Sequence, residues 1–147
     1  LDSTVKSAAF ADLDNDGDSD IVVTQQDQHP ALLRNDYRAA SAAGRGSVSI
    51  RLIGTSGNRD AVGATLRISD STGTRIEQIQ GGGSYLSAHD LRRIIALTTP
   101  DDRFHCEVSW PNGARSSISG MKSGGRYVII EPNQETHSLP ALRLLQE

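Results

Sequence analysis

The stretch Phe104-His105-Cys106-Glu107-Val108-Ser109-Trp110-Pro111-Asn112-Gly113 shows most directly which fold this chain adopts. Apolar and polar residues alternate through Trp110, which is the period of a strand with one buried face. Pro111, Asn112 and Gly113 are turn formers, and a second strand-like run leads from there to Ile118. The stretch therefore predicts a β-hairpin that buries Cys106 as an inert thiol and Trp110 in the core.

The same period of two recurs earlier in the chain. Two segments place apolar residues at every second position: Val48, Ile50 and Leu52 in the first, and Ala64, Leu66 and Ile68 in the second. Turn formers at residues 71–73 and 81–83 separate further short apolar segments, and no helical period precedes the C-terminal tail. We therefore expect an all-β chain whose main domain closes as an antiparallel β-sandwich or barrel.

Changes in composition divide the chain into four segments. Residues 1–36 read as strand, loop, strand, strand, and residues 37–46 are rich in Ala, Ser and Gly, as expected of a linker. Residues 47–132 contain the alternating strands of the β domain. Residues 133–147 form a polar, then leucine-rich tail that is either a short helix or a strand. We expect this tail to pack on its own domain or on a neighbouring chain.

Composition and charge exclude several classes of protein. No apolar run approaches the roughly 20 residues of a membrane helix, so no membrane span is expected. A net charge of −3 with scattered Lys and Arg does not indicate the basic surface patch that is typical of nucleic-acid-binding proteins. The single Cys106 cannot form an intrachain disulfide. The chain begins at Leu1 rather than Met, so an export signal would lie upstream or have been removed.

The richest chemistry lies in Asp12-Leu13-Asp14-Asn15-Asp16-Gly17-Asp18-Ser19-Asp20, which we call the aspartate loop. Five carboxylates in one loop repel each other unless a cation neutralises them. Calcium takes about 6 to 8 oxygen ligands, and a glycine such as Gly17 allows the tight reversal that such loops need. We expect a calcium site with one carboxylate oxygen each from Asp12, Asp14 and Asp16, the backbone carbonyl of Asp18, and both carboxylate oxygens of Asp20.

Other interpretations of the aspartate loop fit less well. An EF-hand has Glu at the twelfth loop position, where this chain has Val23, and its flanks are helical rather than β-like. Magnesium keeps its waters, and zinc or copper would require His or Cys, which the loop lacks. The remaining alternative is an Asp-rich turn that holds no ion.

The Asp-x-Asp-x-Asp-Gly-x-x-Asp-Ile pattern that begins at Asp12 resembles the calcium loop of the FG-GAP or VCBS repeat. That repeat is one blade of an integrin-α-type β-propeller. The resemblance covers residues 1–36 and implies an N-terminal propeller-blade fragment. A single blade cannot close a propeller, so the fragment would complete its sheet with more of a longer chain or with a partner.

The second half of the chain resembles the ASPIC/UnbV domain, which follows such repeats in proteins similar to cartilage acidic protein. The matching segments are residues 50–55, 58–64, 81–87 and 108–113, with residues 32–35 in the expected linker position. The chain departs from the family at residues 94–98, where a His-Phe-Gly-Leu-Gly-like stretch is usual. The resemblance implies an extracytoplasmic, calcium-stabilised adhesion or interaction module, and it supplies no catalytic residues.

The function expected from these observations is non-catalytic. We expect a secreted, extracellular or periplasmic module in which calcium rigidifies a blade loop, and whose partner is a protein or glycan of the cell surface or matrix. One alternative is a structural subunit that self-assembles by strand addition through residues 1–36 or the tail. A second alternative is a glycan-binding module, for which Tyr37, Tyr85 and Trp110 are the plausible stacking platforms.

Three further segments contain residue types that occur in functional sites. Residues Ser84, Ser87, His89 and Asp90 include the types found in a hydrolase triad, but His89 and Asp90 are adjacent and no nucleophile elbow surrounds either serine. The glycines at 81–83 lack the lysine of a phosphate-binding loop. Residues 58–60 are read as a capped turn rather than a binding patch. We therefore expect no enzyme activity.

Overall fold

The computed structural model describes residues 4–37, 46–97 and 103–132, together with the backbone of residues 142–144. The described residues form thirteen β-strands, so the prediction of an all-β chain is confirmed. They include no helix long and apolar enough to cross a membrane. Most of the predicted linker at 37–46 lies outside the described residues, as does the predicted tail at 133–147 except for the backbone of one strand.

The first three strands form a sheet of their own, the N-terminal sheet. It has the antiparallel order β1 (Val5–Ala11), β2 (Asp20–Gln25) and β3 (Gln28–Leu33), and the aspartate loop joins β1 to β2. Its register puts apolar residues on both faces, with Ala9, Val22 and Leu32 on one and Phe10, Ile21 and Leu33 on the other. The predicted order of strand, loop, strand, strand is confirmed.

Two four-stranded sheets make up the main body, which we define as residues 46–97, 103–132 and 142–144. One sheet has the order β13 (Leu142–Leu144), β12 (Arg126–Ile130), β4 (Ser47–Ile53), β9 (Arg93–Ala96). The other has the order β11 (Arg115–Lys122), β10 (Arg103–Ser109), β5 (Thr65–Asp70), β6 (Gly73–Gln78). A short hairpin, β7 (Gly83–Ser84) and β8 (Ser87–Ala88), lies between β6 and β9 in the chain.

One strand pairing differs from the antiparallel sheets expected from the sequence. Strands β4 and β12 run parallel, with Tyr127 opposite Ile50 and Ile129 opposite Leu52. A parallel pair needs a long connection, and most of the main body lies between these two strands in the chain. The tail contributes β13, which pairs antiparallel with β12 of the same chain.

Side chains from both four-stranded sheets form one hydrophobic core. Every second residue of β4, β5 and β10 is buried, as the period of two predicted. Phe104 of β10 meets Tyr127 of β12 edge to face across the core, with ring centroids 6.3 Å apart. Trp110 is buried and its indole N–H donates to Ser116 Oγ at 2.9 Å. The predicted core positions of Trp110 and Cys106 are confirmed, and burial raises the pKa of the Cys106 thiol to about 12.

The predicted turns are present and have identifiable hydrogen bonds. Between β10 and β11, Gly113 adopts a φ of +89° and the backbone N–H of Trp110 donates to Ala114 O. Between β5 and β6, the Asp70 carboxylate accepts the N–H groups of Thr72 and Gly73. These hydrogen bonds satisfy backbone groups that leave the strand ladder at the turns.

Glu131 is a buried carboxylate that closes the loop after β4. Its Oε2 accepts the backbone N–H of Thr55 at 2.6 Å and that of Ser56 at 2.9 Å. Burial by itself would raise the pKa of Glu131, but the hydrogen bonds from Ser56 and Thr55 outweigh it and hold the pKa below the ordinary value of 4.5. Glu131 therefore stabilises the fold in its ionised form.

We expect Glu131→Gln to lower the free energy of unfolding at neutral pH by about 1.5–3 kcal/mol, the range for hydrogen bonds to charged groups. Because the pKa of Glu131 is lowered by folding, its contribution is present above the unfolded value of 4.5 and is lost as the pH falls through the folded value. Chemical denaturation between about pH 7 and pH 3 should therefore show the two proteins converging in acid.

Glu107→Gln is the matched control for this prediction. Glu107 lies on the exposed face of β10, where its carboxylate has only long contacts, to His105 Nε2 at 3.4 Å and to Arg67 Nε at 3.9 Å. This substitution should change the free energy of unfolding by less than about 0.5 kcal/mol. If the free energy of unfolding of Glu131→Gln were lower than that of the wild type by the same amount across the pH range, the role assigned to the Glu131 charge would be contradicted.

Candidate metal-binding loop

The aspartate loop is closed by the strands on either side and by its own carboxylates. The last pair of the β1–β2 ladder joins Ala11 to Asp20, which brings the two ends of the loop together. Within the loop, Asp14 Oδ1 accepts the N–H of Asp16 at 3.2 Å and Asp16 Oδ1 accepts that of Asp18 at 2.9 Å. These Asx-type hydrogen bonds coil the chain so that successive aspartates face one point.

Three of the five predicted ligands meet in space. One carboxylate oxygen each from Asp12, Asp14 and Asp16 lie within 4.8 Å of one another. Gly17 has a φ of +92° at the predicted reversal, and its N–H donates to Asp12 Oδ2 at 3.2 Å. The local spacing in the sequence was therefore sufficient to identify this group of carboxylates.

Asp12 provides an observation independent of the clustering. Its side chain is 3% exposed, and no described residue donates a hydrogen bond to its Oδ1. Burial raises the pKa of Asp12, an effect opposed by the Gly17 N–H and Arg92 and reinforced by the charges of Asp16 and Asp14. A buried carboxylate oxygen without a donor is costly unless a cation or proton satisfies it.

The structure places Asp20 and Asp18 differently from the other three aspartates. The two oxygens of Asp20 accept the backbone N–H groups of Asn35 at 2.9 Å and Leu13 at 3.0 Å, and these hydrogen bonds lower its pKa. Asp20 therefore ties the loop to the end of β3. Asp18, whose backbone carbonyl is the predicted ligand, is buried, and its carboxylate is not among the three that converge.

Arg34 reaches the open side of the aspartate loop. Its Nη2 lies 3.0 Å from Asp14 Oδ2, and its Nε lies 2.6 Å from Asp36 Oδ1. Its side chain is mostly exposed, so water screens these ion pairs. The guanidinium occupies one oxygen of a predicted metal ligand, a contact that sequence analysis did not anticipate.

Two arginines of the main body also contact the loop. Arg92 Nη2 donates to Asp12 O at 2.8 Å, and Arg92 Nη1 donates to Asn15 Oδ1 at 2.8 Å. Arg126 Nη2 donates to Asn15 O at 3.1 Å. Sequence reasoning missed both residues because Arg92 and Arg126 lie far from the loop in the chain and belong to no local motif.

The polar cluster at residues 84–90 contacts the N-terminal sheet. Ser87 Oγ donates to Ala8 O at 2.6 Å, and His89 Nδ1 accepts the N–H of Phe10 at 3.3 Å. The carboxylate of Asp90 is 2.5 Å from Arg92 Nε. The side chains of Ser87 and His89 therefore join this part of the chain to β1, and the contacts of the three residues do not form a serine–histidine–carboxylate relay.

The donor set suits a hard divalent cation. The converging groups are carboxylate oxygens, which calcium prefers, and the described part of the loop offers no nitrogen or sulfur ligand of the kind that zinc or copper requires. The donorless Oδ1 of Asp12 adds the buried negative charge that such an ion would neutralise. The residues of this loop fit a calcium ion.

Comparison with known proteins places most of the main body in a described family. The model of the family ASPIC and UnbV matches residues 54–136, which is more than half of the chain. The aspartate loop and the N-terminal sheet precede the matched residues. A search of curated proteins finds no match to the chain.

Proposed function

The chain belongs to the ASPIC and UnbV family, and from that premise we propose that it is a non-catalytic calcium-binding interaction module. The observation that favours this function most is Asp12, whose buried Oδ1 lacks a hydrogen-bond donor beside two other converging carboxylates. The oxygens of Asp12, Asp14 and Asp16 would hold the ion. A bound calcium would neutralise the loop and fix its conformation.

We propose that residues 1–36 are an FG-GAP or VCBS-type blade fragment and that residues 47–132 form a β-sandwich. Apolar residues on both faces of the N-terminal sheet support the blade, because a propeller blade is covered on both sides by its neighbours. The shared core between the two four-stranded sheets supports the sandwich rather than a barrel.

An extracellular or periplasmic location follows from the expected affinity. Part of the ligand set is exposed, since Asp14 and Asp16 lie at the surface, and such sites bind calcium weakly. Weak sites fill where calcium is near about 1 mM, as it is outside cells, and stay empty at cytosolic levels. The module would then present its sheets to a protein partner on the cell surface or in the matrix.

Two alternative functions have less support than the proposed one. Strand addition to the outer edge of β3 is hindered by Pro30, which has no N–H to donate. A glycan-binding site would rely on the exposed rings of Tyr37 and Tyr85, since Trp110 lies in the core. We therefore favour the calcium-dependent protein-interaction module over both.

Titration calorimetry on chelator-treated protein tests the calcium site. We expect one site with a Kd in the micromolar to millimolar range, and weaker binding of magnesium, which dehydrates reluctantly. With a Kd near 0.1 mM, about 1 mM calcium should raise the free energy of unfolding by about 1.4 kcal/mol. Absence of both binding heat and any calcium-dependent shift in thermal unfolding would contradict the proposal.

A further inference from the structure

The aspartate loop belongs to the N-terminal sheet but is also in contact with the main body. Three acceptors of the loop, Asp12 O, Asn15 Oδ1 and Asn15 O, receive hydrogen bonds from Arg92 and Arg126. Asn15 has a φ of +61°, in the left-handed region that Asn tolerates better than most residues. Contacts to both its side chain and its carbonyl oxygen hold this conformation in place.

Arg92 is itself fixed by the segment that precedes it. Its Nε is 2.5 Å from Asp90 Oδ2, and its backbone N–H donates to Asp90 Oδ1 at 2.9 Å. The Asp90 N–H in turn donates to Phe10 O at 2.9 Å. The segment from Ser87 to Arg92, which we call the docking segment, therefore follows the free edge of β1 and ends at the aspartate loop.

We propose that Arg92 is a positioning residue for the cation site, so that calcium binding and the contact between the docking segment and β1 stabilise each other. This inference rests on the proposed calcium function. Arg92 holds the backbone carbonyl of Asp12, whose side chain is the most buried of the three ligands. An ion that fixes the loop must strengthen this contact to the same extent that the contact strengthens ion binding.

The charge of Arg92 does not reverse this expectation. A lone guanidinium near a cation would repel it, but Asp90 lies 2.5 Å from Arg92 Nε and largely cancels the field. The effect of Arg92 is then to hold the loop in its binding conformation. Arg34 should act in the opposite direction, because its guanidinium lies 3.0 Å from Asp14 Oδ2 and competes with the ion for that oxygen.

The test measures calcium affinity in the full chain by calorimetry at constant ionic strength. Arg92→Met, which keeps an unbranched apolar side chain, should weaken binding by about 5- to 20-fold, within the usual range of coupling between sites. Arg34→Met should bind calcium as tightly as the wild type or more tightly. Arg67→Met on the exposed face of β5 removes the same charge away from the loop and should leave the Kd within about 2-fold.

Hydrogen exchange supplies a second readout that a purely local site would not change. In the wild type, calcium should slow amide exchange in the docking segment as well as in the aspartate loop. In Arg92→Met, calcium should no longer slow exchange in the docking segment. Arg126→Met, which removes one of the three contacts, should give a smaller change of the same kind. It serves as the test variant if Arg92→Met does not fold.

Wild-type affinity in a folded Arg92→Met, or protection restricted to residues 12–20, would overturn this inference while leaving the calcium site intact. A wild-type chain that binds no calcium would instead overturn the proposed function, and this inference with it. A loss of affinity that Arg67→Met shares would point to net charge rather than positioning and would also overturn it.

Discussion

Asp12→Asn is expected to weaken calcium binding by at least about 100-fold, which corresponds to about 2.7 kcal/mol. Asp12 contributes the most buried of the three carboxylates, and its Oδ1 has no other partner among the described residues. An amide keeps the shape and can still accept the N–H of Gly17, but it removes the negative charge that attracts the ion. Without calcium, the variant should unfold at the same temperature as the wild type or higher, because a buried charge is gone.

Calorimetric titration and thermal unfolding with and without chelator check both halves of this expectation. Asp27→Asn is the matched control, since Asp27 lies in the turn between β2 and β3 with a φ of +57°, a conformation that Asn tolerates well. Its calcium affinity should stay within about 2-fold of wild type. Wild-type affinity in Asp12→Asn, or an equal loss in Asp27→Asn, would contradict the role assigned to Asp12.

Phe104→Ala is expected to lower the free energy of unfolding by about 3–5 kcal/mol, the usual cost of removing a buried ring. Phe104 is 2% exposed on β10 and lies edge to face with Tyr127 of the other sheet. The hydroxyl of Tyr127 is fixed by the backbone of Lys122, so that ring cannot readily move into the cavity. Because a typical domain is stable by about 5–15 kcal/mol, this change removes much of the total.

Denaturant titration of Phe104→Ala beside Ile76→Ala measures the effect. Ile76 is an apolar residue on β6 of the same sheet but is 58% exposed, so its truncation should cost less than about 1 kcal/mol. Similar losses in the two variants, or a loss below about 1.5 kcal/mol for Phe104→Ala, would contradict a single core shared by both sheets.

Features encoded within a few residues could be predicted from the sequence. Alternation in the run from Phe104 to Trp110 identified the buried face of β10, because successive side chains of a strand point to opposite sides. Turn-forming residues identified the turn between β5 and β6 and the turn between β10 and β11. The spacing of Asp12, Asp14 and Asp16 identified the converging carboxylates, because the loop that joins them is short.

Features that depend on distant segments could not be predicted in the same way. The sequence led us to expect antiparallel sheets, but β12 pairs parallel with β4, and the alternation of residues along a strand is the same in both arrangements. Asp20 was expected to offer both oxygens to an ion, and its hydrogen bonds from the N–H groups of Leu13 and Asn35 were not indicated by the sequence. Nothing near Arg92 in the chain indicated that it contacts Asp12 O.

By itself, the sequence determined the strands with alternating residues, their buried faces, the tight turns and the cluster of aspartates, because each follows from side-chain period or local backbone geometry. Only the tertiary structure decided which strands became neighbours and which groups surround the aspartate loop. The strand pairing and the surroundings of the loop depend on how apolar faces pack together and on which donors then reach buried oxygens. Both are properties of the folded chain as a whole, so no short segment contains them.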